Sequence, residues 1–592
     1  MLGLGLLSST VTASSKAADE AADEAADERP NIVIVLVDDA ALMDFGSYGG
    51  EAQTPHIDAI AQAGVQFTQH RTAPLCAPSR AMLLTGLDAH RAGVATIPEV
   101  MPAAQRDASG YGHALGPGVT TLATRLQRAG YRTYMTGKWH LGHGPGELPA
   151  DHGFERSFIL DASGADNYRG QSYIPYYTRA DWFEDRTRTT LPADFYSSRF
   201  LVDRTIEWID SGNERQPFLA YLAFQAIHIP LQASASRRDR YREVYAAGWD
   251  DIRARREERA RALGLAPADA VAAARPHGLR SWSTLDDEAR ALASASMAVN
   301  AAMLDEMDHH LGRLIAHLES AGELSNTLFV ITSDNGPEPS DPFASPGMET
   351  WTRLQGYSRD LESLGERNSY VFIGAEWAWA AAAPGNLFKF QTTEGGTRVP
   401  LIIAGPSVRA ARSDALTTMQ DLAPTLLELA GVETDRDRFD GRSLTPLLRG
   451  TAATVRGPDD AVAFEVSGNA ALYRGPYKLV RNAPPWGTGQ WELYRYREDP
   501  GETRNVMQAL PAEAAALEAD YSAWANRVGV VPLPAGYDMR RQIGINSLTR
   551  QRETIMAALA VVGTALGLIL LLGRSGRRSP ASAPGPHSSN AT

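Results

Sequence analysis

Cysteine is nearly missing from this chain. Cys76 is the only one in 592 residues, which excludes an internal disulfide and leaves a thiol that is inert, reactive or modified. Positive charge is also short. A formal net charge of −13 argues against nucleic acid as a partner, so an anionic substrate must be met by cations gathered locally. The amino terminus has no basic segment. Residues 1–7 are apolar but short for a signal core, and Val11-Thr12-Ala13 resembles a small-residue cleavage site. This reads either as the end of a signal peptide whose start lies upstream or as an unstructured start. Residues 17–28 repeat Ala-Ala-Asp-Glu and have no hydrophobic face, so residues 1–29 are assigned to a leader and acidic linker.

What is present is an ordinary globular composition, 44% hydrophobic and 21% charged, with ample material for a core. Pro30-Asn31-Ile32-Val33-Ile34-Val35-Leu36-Val37-Asp38-Asp39 is a run apolar on both faces that ends in two acids. Such a run reads as a central parallel strand, and ligands bind beyond the carboxyl ends of such strands. Two adjacent carboxylates repel unless a cation compensates them, so Asp38 and Asp39 point to a divalent metal. A helix cap plus a surface acid is the plainer alternative. Asn326 to Gly336 repeats the design and ends at Asp334-Asn335. Together Asp38, Asp39, Asp334 and Asn335 make an all-oxygen set that suits Ca²⁺ or Mg²⁺ and disfavours zinc; the Asn carbonyl favours Ca²⁺.

Basic groups recur at the same places. A short strand over 131–136 leads to Gly137-Lys138-Trp139-His140-Leu141-Gly142, where Lys138 and His140 point the same way. The buried strand over 218–224 runs on to His228, and Lys389 precedes the Gly-rich turn Glu394-Gly395-Gly396. Cys76 itself lies in Leu75-Cys76-Ala77-Pro78-Ser79-Arg80, with Ser79 expected to cap a helix over 81–84 and Arg80 in its first turn. A small buried hydrophobe is the bland reading of that cysteine. The arginine-rich stretch 236–290 reads as a solvated excursion, and Asp305 and Asp308 as solvent-facing or capping acids. Residues 168–177, 340–370 and the excursion are expected to wall the pocket.

Cys76-x-Pro78-Ser79-Arg80 followed by Leu84-Thr85-Gly86 resembles the sulfatase signature, and Gly137 to Gly142 is a second match. Asp38-Asp39, Asp334-Asn335 and the Lys389 region follow in the family's order, and the Lys389 region resembles bacterial arylsulfatases of the aryl/alkyl-sulfate type. The resemblance covers about residues 30–530. It implies an α/β fold like alkaline phosphatase, a large mixed, mostly parallel sheet sandwiched by helices over 30–440, with a small α+β subdomain over 441–535. Residues 536–554 read as a linker. Residues 555–573 are uncharged and long enough to span a bilayer, with a tail over 574–592. The expectation is therefore a membrane-anchored protein whose catalytic domain lies on the periplasmic or extracellular side.

The resemblance also implies chemistry. Cys76 is oxidised by a formylglycine-generating maturation enzyme to Cα-formylglycine, whose hydrate attacks the sulfur of a small sulfate ester and later expels sulfate. Cys76, Asp38, Asp39, Asp334 and Asn335 hold the metal, Ca²⁺ or alternatively Mg²⁺. Arg80 holds the hydrate, Lys138 and Lys389 clamp sulfate, His140 is the base, and His228 with Lys389 protonates the leaving oxygen; the two histidine roles are interchangeable at this level. A phosphonate monoester or phosphodiester hydrolase, and an unmodified membrane-tethered binding protein, are the alternatives. Oligomeric state and natural substrate stay open.

Overall fold

A computed structural model describes residues 29–552 apart from 213–215, 434, 436 and 437, together with 556, 564 and 585. The leader and acidic linker before residue 29, and the tail over 574–592 apart from residue 585, lie outside them.

Two sheets organise the chain. The large one is built from β1 Asn31–Val37, β2 Val65–Arg71, β3 Arg132–Lys138, β4 Arg156–Leu160, β5 Trp182–Glu184, β6 Thr187–Thr189, β7 Phe218–Ala223, β8 Thr327–Ser333, β9 Arg398–Ala404, β10 Ala411–Ser413 and β11 Thr417–Thr418. Its order is β10-β2-β9-β8-β1-β7-β3-β4-β5-β6, with β11 beside β2. The centre, β8-β1-β7-β3-β4, is parallel, while β9 and β5 pair antiparallel on either flank. Every residue of β1 is buried. The period of two along a strand divides them between two cores. Val33, Val35 and Val37 join the core under the helix Asp287–Ser320, whereas Ile32, Ile34 and Leu36 join the one that holds the helix Cys76–Thr85. The fold is thus the mixed α/β sandwich that the resemblance implies, with the apolar runs as its central parallel strands.

The second sheet, β12 Val462–Val466, β13 Asn469–Arg474, β14 Tyr477–Arg481 and β15 Glu492–Tyr494, is an antiparallel meander. Its Leu472 and Leu479 pack on Leu517 and Trp524 of the helix Pro511–Val528. The opposite face, through Phe464, Ala471 and Tyr473, belongs to the core of the large sheet. A buried chain of ion pairs ties the two sheets: Arg71 to Glu394 at 2.5 Å, Lys478 to Glu394 at 3.1 Å and Lys478 to Glu502 at 2.7 Å.

Several expectations are corrected. No helix among the described residues is long and apolar enough to cross a membrane. The span expected at 555–573 lies outside the described residues, save for Met556 and Thr564. The membrane anchor and the membrane-anchored periplasmic or extracellular placement drawn from it are withdrawn on that finding. The stretch read as a linker instead forms the polar helix Met539–Arg550, which docks on the body. Its Asn546 donates to the carbonyls of Pro98, Glu99 and Met101 at 2.9–3.1 Å.

The arginine-rich excursion is not solvated throughout. Arg256 is buried and bonds Asp44 at 2.8 Å and Glu51 at 2.6 Å, while Arg253 stacks over Trp379 at 4.2 Å. Asp305 and Asp308 are buried as well. Asp308 accepts from the amides of His56 and Ile57 at the start of the helix Pro55–Ala63, and Asp305 accepts from Tyr241 at 2.8 Å.

His90 pins the small sheet to the large body. Its ring lies 3.2 Å from Asp88 and 3.1 Å from Glu465 on β12. Burial opposes a charged ring, but the bonds to Asp88 and Glu465 outweigh it and raise the imidazole to about 9. The folded value lies above the ordinary one, so this contribution is complete below about pH 6.5 and is lost as pH rises through about 9. Between those limits the wild type is expected to lose about 3 kcal/mol of stability from this site. In chemical denaturation across that range, His90→Gln should abolish this component; an unchanged pH slope would refute the pin.

Candidate active site

Register brings the acids together. In the parallel pairing Val37 lies beside Ser333, so Asp38 and Asp334 leave adjacent strand ends in step. Asp39 follows with a left-handed backbone, φ 71°, and its amide donates to Asp334 Oδ1 at 3.2 Å. Asn335 Nδ2 donates to Asp39 Oδ1 at 2.6 Å and to the Gly336 carbonyl at 2.8 Å. That fixes the amide orientation and turns Asn335 Oδ1 the other way.

The cations come from other elements and converge on the same oxygens. Arg80, buried inside the helix Cys76–Thr85, reaches Asp334 Oδ2 through Nε at 3.0 Å and through its second guanidinium nitrogen at 2.7 Å, and also donates to the Lys138 carbonyl at 2.7 Å. Lys138, the last residue of β3, bonds Asp38 Oδ2 at 2.7 Å. Lys389 bonds Asp39 Oδ1 at 2.7 Å and Glu338 at 2.8 Å. Glu338 was not singled out in the sequence. Its signal was its place four residues beyond Asp334, on the same strand end.

Cys76 opens its helix, with Leu75 as the extended residue before it. Ser79 is therefore inside the helix and does not cap it; its hydroxyl donates to the Ala73 carbonyl at 3.0 Å. Cys76 Sγ lies 3.3 Å from His140 Nδ1. Burial pushes the thiol up to about 11, with Lys138 and Lys389 pulling it down. An unmodified Cys76 is thus a protonated thiol at neutral pH and a poor nucleophile. The helix start does not win against burial here.

Both histidines are neutral for the same reason. Burial, then Lys138, holds His140 and His228 well below the usual imidazole range. His228 Nδ1 donates to the Ile229 carbonyl at 2.7 Å, so its proton sits there and Nε2 faces Asp39 Oδ2 at 3.9 Å. Tyr173 packs edge-on against that ring, 5.1 Å between centroids. Burial pushes Asp39 up to about 8 against the pull of Lys389. In Glu338, by contrast, burial raises the carboxyl, but Lys389 and the other groups around it, Ser340 among them, together outweigh that and hold it down to about 2.

Three buried oxygens in this cluster, Asp38 Oδ1, Asp39 Oδ2 and Asn335 Oδ1, have no hydrogen-bond partner. Asp38, Asp39 and His228 offer ligand atoms within 4.8 Å of one another. Orphaned buried oxygens are costly unless something binds them, and a hard oxygen set fits a divalent cation. Asp334 accepts from Arg80 at Oδ2 and from the Asp39 amide at Oδ1.

A cleft opens at Ala77 and His140, next to the nucleophile. Of the expected walls only Tyr177 takes part, joined by residues that the sequence reading passed over, among them His113, Asp161 and Arg550. Arg550 could not be anticipated, since nothing in the sequence places residue 550 beside residue 77.

A family model described as Sulfatase matches residues 30–432, and one described as N-sulphoglucosamine sulphohydrolase, C-terminal, matches residues 388–520. An uncharacterised sulfatase of Schizosaccharomyces pombe is 34% identical over 86% of this chain and 95% of its own length. An arylsulfatase of Klebsiella aerogenes is also 34% identical, over 69% of this chain and 88% of its own. Among solved structures, that of Ps i-CgsB has the same fold, with a TM-score of 0.61 at 20% identity, covering 88% of this chain and 97% of that one. On these matches, with Cys76, Arg80 and the paired acids converging at one sheet edge, the chain belongs to the sulfatase family and is a sulfuric ester hydrolase.

Proposed function

We propose that this protein hydrolyses its sulfate ester at Cys76, in the formylglycine state general to the family, beside a calcium ion held by Asp38, Asp39 and Asn335. The three partnerless oxygens are the observation that carries this reading. An amide oxygen and two carboxylates from separate turns form an irregular set, which Ca²⁺ tolerates better than Mg²⁺. His228 Nε2 faces the same oxygens. Asp334 contributes through Arg80, whose guanidinium it fixes.

The metal supplies a Lewis acid next to the reacting oxygen, and the modified residue supplies a hydroxyl nucleophile that the thiol lacks. This chain's own residues do the rest. Lys138 and Lys389 carry charge toward the sulfate oxygens and oppose the negative charge that grows in the transition state. Arg80 spans Asp334 and the Lys138 carbonyl, which locks the start of β3's following loop against the Cys76 helix. His140, neutral and 3.3 Å from Cys76 Sγ, accepts a proton from the group at position 76. Lys389 retains its proton firmly, because burial is overcome by Asp39 and Glu338. It is a proton source beside the leaving oxygen, with His228 on the same side. Glu338 positions Lys389 and holds its charge.

Mass spectrometry of the Cys76 peptide from protein made in its own host should show formylglycine. An unmodified thiol in active protein would overturn the nucleophile. Cys76→Ala should fold with an unchanged melting temperature and lose about 10⁴-fold or more in kcat; ordinary turnover by that variant would be fatal to the assignment. Chelator-treated protein should regain stability on adding Ca²⁺, by about 3 kcal/mol at a hundredfold excess over Kd, and less with Mg²⁺ at equal concentration. The Ca²⁺ response should vanish in Asp38→Asn. A larger Mg²⁺ response would reassign the ion.

A further inference from the structure

Lys389 lies on neither strand nor long helix. It sits in the loop before the single helical turn Glu394–Thr397, so its aim depends on what holds that loop. Two backbone bonds fix one side. The Lys389 amide donates to the Pro337 carbonyl at 3.1 Å, next to Glu338, and the Phe390 amide donates to the Pro74 carbonyl at 2.7 Å, two residues before Cys76. Phe390 turns the chain with a left-handed backbone, φ 71°, a conformation that an aromatic residue keeps only where its surroundings impose it. The Lys389 ammonium lies 5.8 Å from the centre of the Phe390 ring. A shift of this turn would carry the ammonium with it.

The other side is held from the small sheet. The hairpin of β12 and β13 turns at Ser467-Gly468, both left-handed, φ 50° and 84°, a two-residue geometry that suits the twist of its strands. Asn469 opens β13 directly after it and is buried. Its Nδ2 donates to the Phe390 carbonyl at 2.8 Å, and its Oδ1 accepts from the Ala483 amide at 2.8 Å. Only this orientation works, because the reverse would set oxygen against oxygen and one N–H against another. Two residues along the loop, Asn482 Oδ1 accepts from the Thr392 amide at 2.8 Å, and the Thr392 hydroxyl donates to the Ala470 carbonyl at 2.9 Å.

Both side-chain bonds of Asn469 go to backbone, and neither goes to the acid cluster. Phe390 is thus gripped at its amide by the Cys76 segment and at its carbonyl by the small sheet. Releasing the carbonyl would let the strained turn relax toward negative φ. Proton delivery to a leaving oxygen tolerates little misplacement, since a shift of about 1 Å can cost a hundredfold in rate. We propose that Asn469 is a positioning residue for the hydrolysis: from the small sheet it holds the Phe390 turn in its left-handed form and so aims the Lys389 ammonium at the leaving oxygen. This rests on the reading of Lys389 as the proton source given above.

The test measures sulfate release by the full-length, formylglycine-bearing protein on phenyl sulfate and 4-nitrophenyl sulfate. Phenol is the poorer leaving group and needs the proton more. The ratio of the two kcat/KM values therefore reads assistance to the leaving group, and it does not depend on the fraction of protein that is folded. Lys389→Ala should cut the phenyl to 4-nitrophenyl ratio by about a hundredfold. Asn469→Ala should cut it by about tenfold, and so should Asn469→Asp, which keeps an acceptor for the Ala483 amide but loses the donor to Phe390. In the Lys389→Ala background the same two substitutions should leave the ratio where it stands. A ratio unmoved by Asn469→Ala and Asn469→Asp, or moved by the same factor with Lys389 absent, would overturn the proposal. A ratio unmoved by Lys389→Ala itself would instead bring down the proton-source reading beneath it, and the proposal with it.

Discussion

Everything at this sheet edge follows from the burial of like charges. Asp38, Asp39, Asp334 and Glu338 are all buried within one cluster, and Arg80, Lys138 and Lys389 face them. Water cannot screen these groups, so each carboxylate needs a partner with good geometry. Four ionised carboxylates against three cations would leave one negative charge over, and the raised Asp39 relieves that excess by holding its proton up to about pH 8. A divalent cation would turn that excess into a single positive charge, the complement of a sulfate monoester. A doubly charged phosphate monoester would be less well matched. The arrangement selects by net charge before any contact with the organic part of the substrate.

The strand ends supply this crowding because the centre of the sheet is parallel. Carboxyl ends of β1, β7, β8 and β3 point the same way, so residues far apart in the chain arrive at one edge. The backbone is bent to aim them. Asp39 and His140 both adopt positive φ, 71° and 56°, a conformation that costs a non-glycine residue about 1–3 kcal/mol. Such strain collects where a side chain must point away from the direction its strand would give it. The packed sheet, buried on both faces, holds the two residues there.

What could be read from the sequence was what repeats locally. Continuous β-branched runs announce buried parallel strands, and an acid pair after such a run announces a site at its end. The Cys76 and Lys138 segments carry their chemistry in a few adjacent residues. The unread parts depend on contacts between distant segments. Arg253 and Arg256 look like a solvated face in sequence, yet their partners Glu257, Glu51 and Asp44 lie on the same helix and around residue 50. Glu338 has no local pattern beyond its distance from Asp334. The helix Met539–Arg550 is polar enough to read as a linker, and only its docking through Asn546 brings Arg550 to the cleft. The uncharged run that follows it suggested a membrane span by composition alone.

The burial of Cys76 also sets an order of events in time. Its side chain is 2% exposed, enclosed by segments the ribosome makes long afterwards. Lys389, whose charge is among those acting on the thiol, is synthesised about 310 residues later, an interval of roughly 15–60 s at typical elongation rates. During that interval the Cys76 segment has emerged while the strands that close over it do not yet exist. An enzyme acting on this side chain would have access to it before those segments close over Cys76, and would lose that access once the chain has folded.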